Sequence, residues 1–146
     1  MRIVYVSAST IPSRQANTVH ILNQVYGFKE LGYKVELFAK LNFKNKSNLE
    51  NYLKKSFGFD TKDILIKDFN FNYKFGIEFF IALRFLLYLF KIIKNKRIII
   101  CRNLFAAFFA GIILKKNLIY ETHTLESGIR KKIQFLLLRN KRIKSV

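Results

Sequence analysis

Cysteine, proline and acidic side chains are all scarce in this 146-residue chain, and each scarcity excludes something. The single cysteine, Cys101, sits inside an isoleucine run, so no disulfide framework can form and a reducing compartment is expected. A thiol in an apolar strand reads as a small core residue rather than a nucleophile. One proline and six glycines leave little chain for flexible linkers. Two histidines and one cysteine do not make a zinc set, and the dinucleotide-binding glycine fingerprint, the Walker A loop and the His-Glu-x-x-His motif are all missing. The apolar opening covers four residues before Ser7-Ala8-Ser9-Thr10, too short for a secretory signal.

Nine Asp plus Glu stand against 27 Lys plus Arg, a net charge of +18. So basic a balance favours a polyanionic partner: nucleic acid, anionic lipid or a phosphorylated substrate. The arrangement argues against nucleic acid, because no basic run exceeds three residues and there is no zinc spacing, stacking-aromatic pattern or recognition helix. Basic residues instead flank very apolar helical segments, which suits an anionic membrane surface. Phe75 to Ile93 carries Glu78, Arg84 and Lys91, and Ile98 to Leu114 is broken by Arg102-Asn103, so neither reads as a span. The chain is expected to lie on a membrane rather than through it.

What is present is an alternation of short apolar runs and helical patterns. Ile3 to Val6 is a β-prone run that stops at Ser7–Thr10, with Pro12 forbidding simple continuation. From Val19 to Leu31, Val19, Ile21, Leu22, Val25, Tyr26 and Phe28 share one half of a helical wheel, with His20, Asn23, Gln24 and Glu30 on the other. Gly32 stands where a left-handed C-cap is wanted, and Tyr33 to Phe38 is the next strand. Further strands are predicted over 63–67, 97–101 and 117–121, and helices over 48–57, 74–94, 104–114 and 126–139. Arg84, Tyr88 and Lys91 mark the one polar edge of the longest helix. In the last helix Ile129, Ile133, Leu136 and Leu137 face the sheet, while Arg130, Lys131 and Lys132 face away. With 51% hydrophobic residues this makes one α/β domain, a mostly parallel sheet with helices on both faces. Ligands of such sheets bind at the carboxyl ends of the strands, which is where the loop at 8–17 and the residues after strands four and five lie.

Those same segments resemble a family. Met1-Arg-Ile-Val-Tyr-Val-Ser7, Ala16-Asn-Thr-Val-His20 and Phe28-Lys-Glu-Leu-Gly-Tyr-Lys-Val-Glu-Leu-Phe38 resemble the opening of family 4 retaining glycosyltransferases of the GT-B fold. Ile98-Ile-Ile-Cys-Arg-Asn103 and Leu118-Ile-Tyr-Glu-Thr-His123 are similar to that family's fourth and fifth strands with their trailing Arg and His. The resemblance covers essentially the whole chain. It implies a Rossmann-like half of a GT-B fold, with 1–146 as a truncated N-terminal, acceptor-side domain and the C-terminal donor-binding domain absent; Arg142 to Val146 resembles the start of the family's next strand. It also implies transfer of a sugar, with retention, from a nucleotide-diphosphate sugar to a membrane-linked saccharide or lipid acceptor at the cytoplasmic face. Such a chain needs no cofactor beyond the nucleotide sugar as co-substrate, and would be inactive without a separate C-terminal half. The family's donor-gripping pair of glutamates, eight apart in the second domain, has no counterpart here.

The resemblance places the family's active-site histidine at His123, contacting the transferred sugar. Arg102, at the end of the fourth strand, could grip a diphosphate or anionic acceptor through paired hydrogen bonds. Glu121 is expected to organise the turn and border the ligand. Family members put two glycines after the first strand so that backbone amides approach the donor's phosphates. Ala16 and Asn17 stand there instead, leaving helix-end anion binding to the Thr18 and Val19 amides. His20 lies one step inside the helix, on its solvent-facing polar side. Two other classes stay open on the residues alone: a non-catalytic membrane-associated subunit, and a basic nucleic-acid-binding module.

Overall fold

Strand β1 (Arg2–Ile11) opens the chain, followed by helix α1 (Ala16–Glu30), β2 (Lys34–Leu41), α2 (Lys46–Phe57), β3 (Ile64–Asp68) and α3 (Ile77–Lys91). Then come β4 (Arg97–Cys101), α4 (Leu104–Phe108) running into a π-helical turn (Phe109–Ile113), β5 (Leu118–Tyr120), α5 (Gly128–Leu138) and β6 (Ile143–Ser145). The computed structural model describes residues 1–42, 46–68, 77–91, 97–122 and 124–146. The six strands form one sheet in the order β3-β2-β1-β4-β5-β6, every pairing parallel. The protein is therefore an α/β, Rossmann-like fold. The chain winds outward from β1 to β3, then crosses back to β4, so the strand order reverses between β1 and β4.

Alternation within each strand sorts the core into two layers. Tyr5, Leu37 and Ile66 pack beneath α1 and α2 with Ile21, Leu22 and Leu53. Val4, Cys101 and Tyr120 pack on the opposite face with Phe85, Ala107 and Leu137 from α3, α4 and α5. Cys101 is wholly buried and burial pushes its thiol pKa up, which fits a core role. Gly32 has φ 81°, and bonds from Gly32 N to Lys29 O and from Tyr33 N to Phe28 O close α1 as the C-cap reading expected. Gly111 is small for a different reason. A Cβ there would sit 2.5 Å from Ile143 Cδ1, so any side chain at 111 would have to push the end of Ile143 aside for the π-helical turn to stay this close to β6.

Four expectations need correction. β1 does not end at Ser7; after an irregularity between Val6 and Thr10 it pairs again, Thr10 with Lys40 and Ile11 with Leu41. Ile11 is fully buried, and that hydrophobic anchor extends the strand through its polar stretch. Tyr88 is not part of a solvent edge: its hydroxyl hydrogen-bonds the carboxylate of Glu36 on β2, which also takes Arg2, Lys67 and Arg97. The region predicted as one helix over 104–114 changes from α to π winding at Phe109. In α5 the expected inward stripe is only half right. Leu137 is buried, but Ile129 and Leu136 are 75% and 53% exposed, and Gln134 takes the inner position. Its amide donates to Thr122 Oγ1 and Thr124 O and accepts from Glu126 N, which offsets the cost of burying it. Of the long helix predicted over 74–94, the described part is α3; the rest lies outside the described residues. Among the described residues no helix is long and apolar enough to cross a membrane.

Candidate functional site

The separation of chain direction between β1 and β4 opens a cleft of about 720 Å³ at the carboxyl edge of the sheet. One wall carries Ser9, Thr10, Ala16, Asn17 and His20 from the end of β1 and the start of α1; the other carries Asn103, Glu78, Glu126 and Arg130, with Arg102 and Glu121 between them. From residue 69 onward the sequence holds only three acidic residues, Glu78, Glu121 and Glu126, and all three line this cleft. In so basic a chain, that concentrates both signs of charge in one place.

Glu121 is the centre of the arrangement. It follows β5, and its amide bonds to Cys101 O at 3.0 Å, continuing the β4–β5 pairing. Tyr120 faces the α3–α5 layer, so Glu121 turns to the other side, under α1. There the hydroxyl of Tyr5 lies 2.7 Å from Glu121 Oε2 and 2.5 Å from Gln24 Oε1. One proton serves both, and the carboxylate is the stronger acceptor. His20 Nε2 lies 3.1 Å from Glu121 Oε1, Gln24 Nε2 donates to the same oxygen at 3.5 Å, and Arg102 Nη1 stands 3.5 Å from it. Burial alone would raise the Glu121 pKa, but the Tyr5 hydroxyl, the Arg102 charge and His20 bring it below the usual carboxylate value. Burial, reinforced by the same carboxylate, pushes Tyr5 up.

Arg102 is not the surface arginine a strand end suggests: its side chain is 8% exposed, beside Glu121. Its Nη1 is buried and makes no hydrogen bond among the described residues. A guanidinium in that state can take an anion with little further desolvation. The α1 amides correct another expectation. Thr18 N and Val19 N both bond to Gln15 O, at 2.9 and 3.2 Å, so neither is open to a ligand. Ala16 and Asn17 line the cleft, and the first turn of α1 holds no acidic residue to oppose an anion. Thr18 is buried instead, its hydroxyl donating to Thr10 O. Asn17 Nδ2 donates to Ser9 Oγ at 2.7 Å, closing α1 onto β1.

His20 was expected on a solvent-facing side; it is about half exposed, but it reaches Glu121 and borders the cleft. Arg130 was expected to face away, yet it lies on the far wall. Its Nε and Nη2 donate to Glu126 at 2.7 and 2.8 Å, and Nη1 donates to Glu78 at 2.7 Å, tying α5 to α3. His123 lies outside the described residues; its neighbours Thr122 and Thr124 both line the cleft. Sequence reasoning missed Tyr5 and Gln24. A signal was available: Gln24 is four residues after His20, on the same helical face. Among the described residues no cluster of His, Cys, Asp and Glu could hold a metal ion. No protein-family model matches this chain, and no curated protein matches it.

Proposed function

We propose that this chain is the N-terminal, acceptor-side half of a GT-B glycosyltransferase, with its cleft taking the phosphates and sugar of a nucleotide-diphosphate sugar. The observation that carries the reading is the buried Arg102 guanidinium, paired at Nη1 with Glu121 but with no hydrogen bond there, lining the same cleft as the α1 first turn at the point where strand order reverses. Diphosphate oxygens would bond to Arg102 and to the Ala16 and Asn17 amides. Sugar hydroxyls, which both donate and accept, suit the remaining wall: Glu78, Glu126, Asn103 and Thr124. His20, held by Glu121, would meet the same ligand, and His123 has the catalytic place by resemblance. Transfer would need a second wall closing on this one, since differential binding of the transition state requires the reacting groups to be surrounded.

Uridine and guanosine diphosphate serve as probes. Amide chemical shifts of Asn17, His20 and Arg102 are expected to move saturably on titration with one of them, and Arg102→Ala to weaken that binding about tenfold or more. Unmoved cleft amides with both nucleotides would sink the donor-site reading.

The acceptor is proposed to be membrane-linked, with the protein peripheral on the inner face of the membrane. Support comes from the outer side of α3, where Phe79, Leu83, Leu87 and Phe90 are 44%, 38%, 56% and 52% exposed at helical spacing. Phe135, Leu136 and Leu138 of α5 are exposed on the same layer of the fold, and Arg84, Lys91, Lys131, Lys132 and Arg139 stand among them. Each basic residue near an anionic surface adds about 1 kcal/mol. Sedimentation should therefore show binding to anionic vesicles, much less to neutral ones, weakening as salt rises. Leu87→Glu with Phe90→Glu should abolish it; equal binding to both vesicle types would contradict the electrostatic part.

A further inference from the structure

A second concavity opens at the opposite end of the sheet. A pocket of about 480 Å³ lies at the amino ends of β4 and β5 and the entry to β6, within the size range of small-ligand sites. Four of its lining residues are cations, Arg97, Lys141, Arg142 and Lys144, and none is acidic. Arg97 is already engaged by Glu36 and the Tyr88 hydroxyl. Lys141, Arg142 and Lys144 are exposed and, among the described residues, form no ion pair. No acidic residue is among those lining the pocket, and the three acidic residues beyond residue 68 are all at the cleft.

The backbone that carries the cations is also held in place. Arg142 O accepts from Leu118 N at 3.1 Å, Arg142 N bonds to Asn140 Oδ1 at 2.9 Å, and Ile143 N bonds to Asn140 O at 2.9 Å. The turn that carries Lys141 and Arg142 is thus tied to β5, and Lys144 is fixed opposite Ile119 by the β5–β6 register. Three like charges gathered about one pocket on a fixed backbone repel one another unless a counter-charge sits between them. Arginine supplies a planar fork for two oxygens of a tetrahedral anion, and the lysines supply compact point charges.

We infer that this amino-end pocket is an anion site distinct from the cleft, binding a phosphate group through Lys141, Arg142 and Lys144. The phosphate can come from a small soluble ligand or from a phosphorylated lipid headgroup. The inference does not depend on the glycosyltransferase reading.

The test follows amide shifts of Asn117, Ile119 and Arg142 in the whole chain during titration with inorganic pyrophosphate, and separately with vesicles containing phosphatidic acid. Saturable shifts at these three positions are expected, and a K141Q/R142Q/K144Q variant should bind about tenfold more weakly or worse. A K54Q/K55Q variant, removing two exposed lysines of α2, should bind as wild type. Pyrophosphate alone producing the effect identifies a soluble phosphate; vesicles alone identify a headgroup. Shifts from neither probe, or the same loss in the α2 variant as in the triple variant, would overturn the site. Unchanged Asn17 and Arg102 shifts in the triple variant separate this result from the cleft.

Discussion

Glu121→Ala is expected to cost about 3–5 kcal/mol of folding stability, the range for removing one member of a buried charged network. The side chain is 7% exposed, and three elements meet on it: Tyr5 from β1, His20 and Gln24 from α1, and Arg102 after β4. Alanine would leave a buried guanidinium without its counter-charge, where water has poor access, and would leave the Tyr5 hydroxyl with only the weaker acceptor Gln24 Oε1. Tyr5→Phe removes one hydrogen bond and leaves the ion pair, so about 1–2 kcal/mol is expected there. Urea unfolding of the two variants measures both. A loss in Glu121→Ala no greater than in Tyr5→Phe would show that the carboxylate is not the hub described. The same substitution should also displace Arg102, so nucleoside diphosphate binding is expected to fall with it.

Acidification is expected to unfold the protein through two carboxylates. Glu121 and Glu36 both have pKa values held below the usual range: for each, burial opposes the charge, but hydrogen bonds from Tyr5 or Tyr88 and nearby cations outweigh it. A carboxyl group with a lower pKa folded than unfolded adds stability that is complete above the unfolded value, about 4.3. That stability is lost as pH falls through the folded values, with a slope of up to about 1.4 kcal/mol per pH unit for each group. On the alkaline side the sign reverses. Tyr88 is pushed up to about 12, chiefly by burial and by Glu36, and Tyr5 is pushed up by burial and Glu121. Their contribution is whole below the ordinary tyrosine value, about 10, and disappears as pH rises through the folded ones. Stability measured by urea midpoints should therefore be level from about pH 5 to about pH 10 and fall on both sides. E36Q/E121Q should flatten the acid limb while lowering the plateau. A double variant that keeps the wild-type acid slope would refute the assignment of that limb to these carboxylates.

The parts of this molecule that could be read in its sequence are those written in local periodicity. Ile3–Val6, Tyr33–Phe38 and Ile98–Cys101 are apolar enough to announce buried parallel strands, and Gly32 marks its own helix end. The region at the carboxyl edge was legible too, because a βαβ unit fixes where its loop lies. The centre of the cleft was not. Tyr5 and Glu121 are 116 residues apart, and nothing in the spacing of either points to the other. Gln134 takes part of the expected inner face of α5 because Thr122, Thr124 and Glu126 satisfy its amide. A hydrophobic wheel counts apolar side chains and cannot see such partners. Tyr88 misled in the same way, through Glu36 on a distant strand.

The contact between Gly111 and Ile143 bears on how this chain could change over generations. With only 2.5 Å available to a Cβ at 111, and Leu118 Cδ2 closing the other side at 3.2 Å, the two positions share a single volume. A methyl group gained at 111 would force the end of the Ile143 side chain aside or favour a smaller residue at 143. Drift at the two sites is therefore tied. Descendant sequences should exchange them as a pair, with the turn and the last strand inherited together even where the residues between them diverge.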